Sequence, residues 1–434
     1  MKILHSVVVS AITLSALTST LVGDDLQNSL SNGKFTADLK AYYFNGDREN
    51  RTDREALTVG GILKYESGAY YGFKVGAAFY GSYDLLRLGD QTAQKGSIAN
   101  GGSVNLVTKN IAGNTEMVNS DGSNISTIGE AYLQYNAGNT MLKVGRQRLD
   151  TPLLNDYYNR YLPNTFEAVV LTNKDIADTE LMAIYAYGWK YKASDEFIGM
   201  TDGLNNPDIN KDVVMFGIIN KSIPNTQVSL YNYYIPNLMN SVYVELKNPK
   251  LISTDSFKLS FAAQYLNQKE IGDELLGKLD SYLAGAKLGF ALGDAKLTLL
   301  YDLVGDHTIR ASGTDYSNMG YSKFVNYTDI QIDGEALNAG AESYGAALGY
   351  KFGNFKPAVK FIHIEQDLVK QANGNTPNTR PSSNEWNIDL KYKIDSISKL
   401  RVRLADIDYE STHKNEFDEV NLRVIYDYKF SIGS

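Results

Sequence analysis

The chain closes on "VNLRVIYDYKF", residues 420–430, followed only by "SIGS". Every second residue from Val420 is apolar or aromatic: Val420, Leu422, Val424, Tyr426, Tyr428 and Phe430. Between them stand Asn421, Arg423, Ile425, Asp427 and Lys429. This alternation describes a β-strand with one apolar face and one largely charged face. A soluble sheet would turn the apolar face to a core. A membrane barrel would turn it to lipid and keep the charged face around a water-filled lumen, with the tyrosines and Phe430 in the interfacial aromatic girdle.

The rest of the chain decides between the two. "FTADLKAYYF" (35–44) sets Phe35, Ala37, Leu39, Ala41 and Tyr43 against Asp38 and Lys40, and "ALTVGGILKY" (56–65) sets Leu57, Val59, Leu63 and Tyr65 against Thr58 and Lys64. About 18 such segments recur, each near the ~9–11 residues that a tilted membrane strand needs. Connections from an even strand to the next odd one are short, as in "NAGN" (136–139), "LGDA" (292–295) and "GNF" (353–355). Connections from odd to even are long and polar: 82–126, 149–165, 190–211, 305–341 and 366–384, with the short "PNLMN" (236–240) the exception. A soluble sandwich has no reason to sort loop length by parity, and no fixed-period repeat suggests a solenoid. Short turns at one end and long external loops at the other describe an all-β fold, a single closed antiparallel transmembrane barrel of about 18 strands.

The amino terminus agrees. "MKILHSVVVSAITLSALTSTLVG" (1–23) has a lysine near its front, an apolar centre and small or polar residues before Asp24, the layout of a secretory signal peptide. The alternative, a single membrane anchor, is interrupted too often by Ser and Thr. The barrel then occupies 24–434. The chain has no cysteine, nine prolines, 37 glycines and 31 tyrosines against two tryptophans, which fits a turn-rich β protein independent of disulfides. A net charge of −8 with mixed signs argues against nucleic acid as a partner.

Enzymatic signatures are poor. His5, His307, His363 and His413 are scattered, and no metal-ligand spacing, cofactor motif or G-x-S-x-G occurs. "GDELLGKL" (272–279) misses a phosphate-binding loop, because Leu279 stands where Ser or Thr should be. Charge on the lumenal phase is more informative. Lys391, Arg401, Arg403 and Arg423 share that phase and form a basic row on adjacent closing strands. Such a row either guides anions or is a solvated wall.

The most distinctive stretch is "VGRQRLDTPLLNDYYNRYLPNTFEAVVLTN" (144–173). Pro152 and Pro163 stiffen a loop over 149–165. Arg146, Arg148, Asp150, Asp156 and Arg160 lie in or beside it and could project both signs of charge into the lumen. Alternation from Asn139 puts Arg146 and Arg148 on one side of their strand, and the ~2–4 kcal/mol cost of an arginine against hydrocarbon favours the lumen. Gly145 and Gln147 would then face outward. Small residues such as Gly129 and Ala131 are expected on the lipid face, as a subunit contact or a smooth wall, so monomer and trimer both stay open.

"VGRQRLDTPLLND…NRYLPNTFEAV" resembles the strand and third-loop region of the OprD family of outer-membrane porins, with Gly145, Arg146, Asp150, Pro152, Asp156, Arg160, Pro163, Asn164 and Phe166 at motif positions. Ala168 stands where members often have Gly. The resemblance implies an 18-stranded Gram-negative outer-membrane channel for small carboxylate-bearing solutes. Its third loop would fold inward as the constriction, and lumenal arginines would face an acidic side. It also implies that Tyr428 and Phe430 form a terminal signal read by the barrel-assembly machinery, although "SIGS" extends past the aromatic that usually ends such chains. A non-selective porin and a surface-exposed adhesive barrel are the rival readings.

Overall fold

The computed structural model describes residues 24–49, 53–87, 115–202, 211–275, 279–307, 325–332, 335–366, 382–409 and 418–433. The expected signal segment, the centre of the 82–126 loop and most of 305–341 and 366–384 therefore lie outside the described residues.

A short helix, α1 (Asp24–Ser31), precedes the strands. There follow β1 (Lys34–Arg48), β2 (Arg54–Glu66), β3 (Phe73–Asp84), β4 (Ile125–Ala137), β5 (Thr140–Gln147) and β6 (Thr165–Asn173). The wall continues through β7 (Thr179–Lys190), β9 (Val213–Asn220), β10 (Gln227–Ile235), β11 (Met239–Ser253), β12 (Phe257–Glu270) and β13 (Asp280–Leu292). It ends with β14 (Ala295–Val304), β15 (Glu342–Tyr350), β16 (Phe355–Glu365), β17 (Ser382–Lys393), β18 (Ser398–Tyr409) and β19 (Glu419–Ile432). The two-residue β8 (Ile198–Gly199) pairs only with β7, outside the ring. Each ring strand is antiparallel to its neighbours, and β1 pairs with β19 from Phe35↔Ile432 to Arg48↔Glu419. The result is a closed 18-stranded barrel with no open edge. Among the described residues no helix is long and apolar enough to cross a membrane.

Loop length sorts by end, as expected. One rim carries 67–72, 138–139, 174–178, 221–226, 254–256, 293–294, 351–354 and 394–397. The other carries 85–124, 148–164, 191–212, 305–341 and 366–381, with the shorter 49–53, 236–238, 271–279 and 410–418. The two-residue turns open on Gly138 (φ 58°) and Gly293 (φ 56°), in the left-handed region that matches strand twist. The short-turn rim is the one expected at the periplasmic side. There α1 docks on the first turn, with Gly68 N donating to Ser29 O at 2.8 Å and Ser29 Oγ to Gly68 O at 2.8 Å.

The closing strand has the expected phase. Val420 and Tyr426 are outward and exposed, whereas Asn421 and Arg423 are inward and 1% exposed. Two expectations change. Ser431 and Ile432 belong to β19, so the tail is largely strand, and Ile432 extends the outward face beyond Phe430. Gly129 is the extra residue of a bulge opposite Ala78 and Phe79, where an added Cβ would meet the Tyr80 ring at 2.5 Å. It is needed for that close approach, and of the expected pair only Ala131 lies on the outer surface.

Candidate functional site: the pore constriction

After Gln147 the chain leaves the wall, because β5 and β6 are short and the 148–164 loop turns into the lumen. Apolar contacts fix it at both sides. Leu149, Leu153 and Leu154 pack with Tyr231 and Tyr233 of β10, while Tyr161 and Leu162 pack with Tyr42, Phe44 and Tyr80 of β1 and β3. Leu153 N donates to Tyr233 Oη at 3.2 Å, and Tyr161 Oη donates to Lys40 O at 2.8 Å. The loop thus crosses the bore between opposed walls.

Ionic contacts lock its far limb. Arg160 Nε lies 3.1 Å from Glu116 Oε2, and Lys192 Nζ lies 2.9 Å from the same oxygen. Tyr191 Oη donates to Glu116 Oε1 at 2.7 Å. Burial opposes ionisation of Glu116, yet Lys192, Arg160 and the hydrogen bonds from Lys192 and Tyr191 hold its carboxyl at about 2. Three external segments are tied together at this one carboxylate.

A second loop also enters, which sequence reading missed by assigning all of 305–341 to the outside. Residues 325–332 fold inward and are held from five strands. Thr328 N and Oγ1 donate to Asp302 Oδ2 at 2.7 and 2.9 Å. Gln331 N and Ile332 N donate to Glu385 at 2.6 and 3.1 Å. Arg423 Nη2 donates to Gln331 O at 2.9 Å, Tyr327 Oη to Glu245 at 2.9 Å, and Lys360 to Asp329 O. Ile330 packs with Leu300, Ile362 and Ile407. The signal was present in "VNYTDIQI" (325–332), whose Val325, Tyr327, Ile330 and Ile332 are too apolar for a free polar loop.

Between the two loops lies a cavity of about 980 Å³. Its cations are Lys40, Arg160, Lys247, Lys287, Lys360, Arg401, Arg403 and Arg423; its carboxylates are Asp150, Asp156, Glu245, Asp329 and Asp427. Several acids are already matched. Arg148 Nε donates to Asp156 Oδ2 at 2.8 Å and its guanidinium stands 5.0 Å from the Tyr158 ring. Arg401 forks onto Asp389 with Nε–Oδ1 2.7 Å and Nη2–Oδ2 2.6 Å, and Lys391 joins that carboxylate at 3.0 Å. Asp150 is exposed in the cavity on the side of Tyr231 and Glu245.

Arg403, Arg423 and the Glu116-paired Arg160 form a cluster. Arg403 of β18 stands directly opposite Arg423 of β19 in register, and like charges so placed repel. Arg160 approaches both from the loop, near enough to add to that repulsion. Arg160 Nη1 and Arg403 Nε are buried without a hydrogen-bond partner among the described residues.

Arg146 is not part of the site. It shares the phase of the exposed Leu142 and Val144, points outward, and places Nε 2.9 Å from Glu167 Oε1 on β6, its register partner. Phe197, from the segment outside the ring, covers it at 4.1 Å. Gly145 and Gln147 take the inward phase instead. Gln147 is 1% exposed and donates to Ala168 O at 2.9 Å. The expected hydrocarbon cost does not arise, because Glu167 and Phe197 pair and cover the cation. Arg148 reaches the lumen only because the strand has already ended.

The family model for outer-membrane porins of the OprD family matches residues 29–432. No curated protein matches the sequence. Among solved structures, OccK9 (OpdG) of Pseudomonas aeruginosa is similar with a TM-score of 0.76 and 17% identity, over 93% of this chain and 100% of that one. OccAB3 of Acinetobacter baumannii gives 0.75 and 16%, and OpdK of Pseudomonas aeruginosa with vanillate gives 0.71 and 18%, with the same coverage.

Proposed function

The chain belongs to the OprD family of outer-membrane porins, and on that premise we propose that its channel favours small solutes bearing a carboxylate. The observation that carries this is the cluster of Arg160, Arg403 and Arg423, drawn from the inward loop and two adjacent strands and lining the cavity. Glu116 offsets only one of the two cations, Arg160 and Lys192, that share it, so the cluster keeps a net positive charge that raises the free energy of the empty site, and a carboxylate accepting N–H bonds relieves it. A confined lumen screens these charges less than bulk water and concentrates anions. Asp150 and Glu245 set the opposite sign on the β10–β11 side of the bore, so a passing solute is oriented with its carboxylate toward the arginines. Tyr42, Tyr157, Tyr231 and Tyr243 line the same cavity. The solved complex of OpdK contains vanillate, an aromatic carboxylate, which suits such a surface.

The test is a pair of solutes of equal size, propionate and propionamide, in liposome swelling, with reversal potentials in planar bilayers. The reading predicts anion preference and faster entry of propionate. Equal entry with a reversal potential near zero identifies a general pore, and absence of conductance identifies a sealed barrel whose external loops do the work.

A further inference from the structure

Below the constriction, on the wall formed by β11–β15, lies a second cavity of about 710 Å³ whose charged side chains are all lysine. Lys221, Lys247, Lys287 and Lys296 line it, and no carboxylate does. We propose that this vestibule is a second anion subsite, one that selects multiply charged anions such as dicarboxylates. The inference rests on the carboxylate preference proposed above and adds a charge-number filter to it.

The wall is shaped for this. Ser260, Gly289, Thr298 and Ala347 are register partners in one row across four adjacent strands, so the floor carries little side-chain volume. In the next row Lys247 and Lys287 both pair with Ala262, placing their backbones about 10 Å apart, two strand spacings of ~4.8 Å, with only a methyl group between. Lys296 reaches up from the periplasmic end. Its Cε would lie 3.8 Å from a Cβ placed on Gly289, so a larger residue there would push it away. Lys221 enters from the turn after β9.

Two of these cations are committed in part. Lys247 Nζ lies 2.6 Å from Glu245, and Lys287 stands over the Tyr327 ring at 4.4 Å. Lys221 and Lys296 show no ion pair among the described residues. Lys247 and Lys287 line both cavities, which makes the path from the arginines to the lysines continuous. A monoanion gains from either group. A dianion gains twice as much from each ammonium, because Coulomb energy scales with its charge.

The experiment measures the succinate-to-propionate permeability ratio of the purified full chain in planar bilayers at pH 7.5. Lys221→Gln and Lys296→Gln should each lower the ratio roughly three- to fourfold, the effect of one unit charge at ~5–7 Å in a water-like dielectric, and together roughly tenfold. Lys296→Arg should restore it. The propionate-to-propionamide ratio should keep its sign in these variants, since the arginine cluster is intact. An unchanged succinate-to-propionate ratio in the double variant overturns the vestibule as a subsite. Failure of the constriction reading looks different: Arg403→Gln would then leave the propionate-to-propionamide ratio at its starting value.

Discussion

Replacing Glu385 by alanine should loosen one inward loop and widen the channel. The Glu385 carboxylate is 1% exposed and accepts N–H bonds from Gln331 at 2.6 Å and Ile332 at 3.1 Å. Leaving each of these two buried N–H donors without an acceptor costs about 1–3 kcal/mol, so about 2–6 kcal/mol of loop attachment is lost. Burial of Ile330 against Leu300, Ile362 and Ile407 opposes release by only about 1.5–3 kcal/mol. The polar loss is therefore larger than the apolar term, and the loop loosens about Gln331 and Ile332 while Arg423, Lys360 and Asp302 still hold Gln331 O, Asp329 O and Thr328. Glu385→Gln keeps a neutral acceptor and should fall between alanine and the parent chain. Single-channel recording should show conductance rising in the order parent, glutamine, alanine, with more open-channel noise in the alanine variant. Unchanged conductance in a folded, inserted alanine variant would refute the claim that this carboxylate holds the loop in the bore.

Three further outcomes follow from the same contacts. Glu116 is held at about 2 against an ordinary 4.5, a depressed value, so its contribution is present above pH ~4.5 and is lost as pH falls toward about 2. That shift is worth roughly 3 kcal/mol, so hydrogen exchange around Arg160 and Lys192 should accelerate over this window and Glu116→Gln should abolish the pH dependence. Arg146→Gln should leave carboxylate preference unaltered while lowering thermal stability, since Arg146 faces outward on Glu167; a reversal-potential shift would mean that it reaches the lumen. Phe430→Asp should reduce folded protein in the outer membrane, as judged by heat-modifiable migration, more than removal of residues 433–434, which lie beyond β19.

The barrel was legible because its signal is repeated. Period-two alternation and the sorting of loop length by rim are each weak in one segment and strong across the ring, and the β1–β19 closure follows from them. Residues whose position depends on a single local event were harder to read. Arg146 and Arg148 are two apart, so alternation puts them on one face only if the strand continues, and β5 stops at Gln147. The apolar phase of Leu142 and Val144 already pointed Arg146 outward. A general cost for exposed charge outweighed that pattern because Glu167, 21 residues away along the chain, was not visible as its partner. The inward course of 325–332 was hidden for a similar reason. Its anchors are single side chains on β11, β14, β16, β17 and β19, brought together only by ring closure. Arg401, Arg403 and Arg423 were placed inward by phase alone, but phase could not separate Arg401, neutralised by Asp389, from Arg403.

The most direct test compares the parent chain with Arg403→Gln, a residue that holds no ion pair among the described residues and whose side chain lines the cavity. The measurement is the reversal potential under a tenfold potassium propionate gradient, read alongside single-channel conductance as a control for pore size. The account predicts anion preference in the parent chain, a shift toward cation preference in the variant, and little change in conductance in a symmetrical salt of small ions. Identical reversal potentials in the two proteins would contradict it and place selectivity elsewhere in the bore.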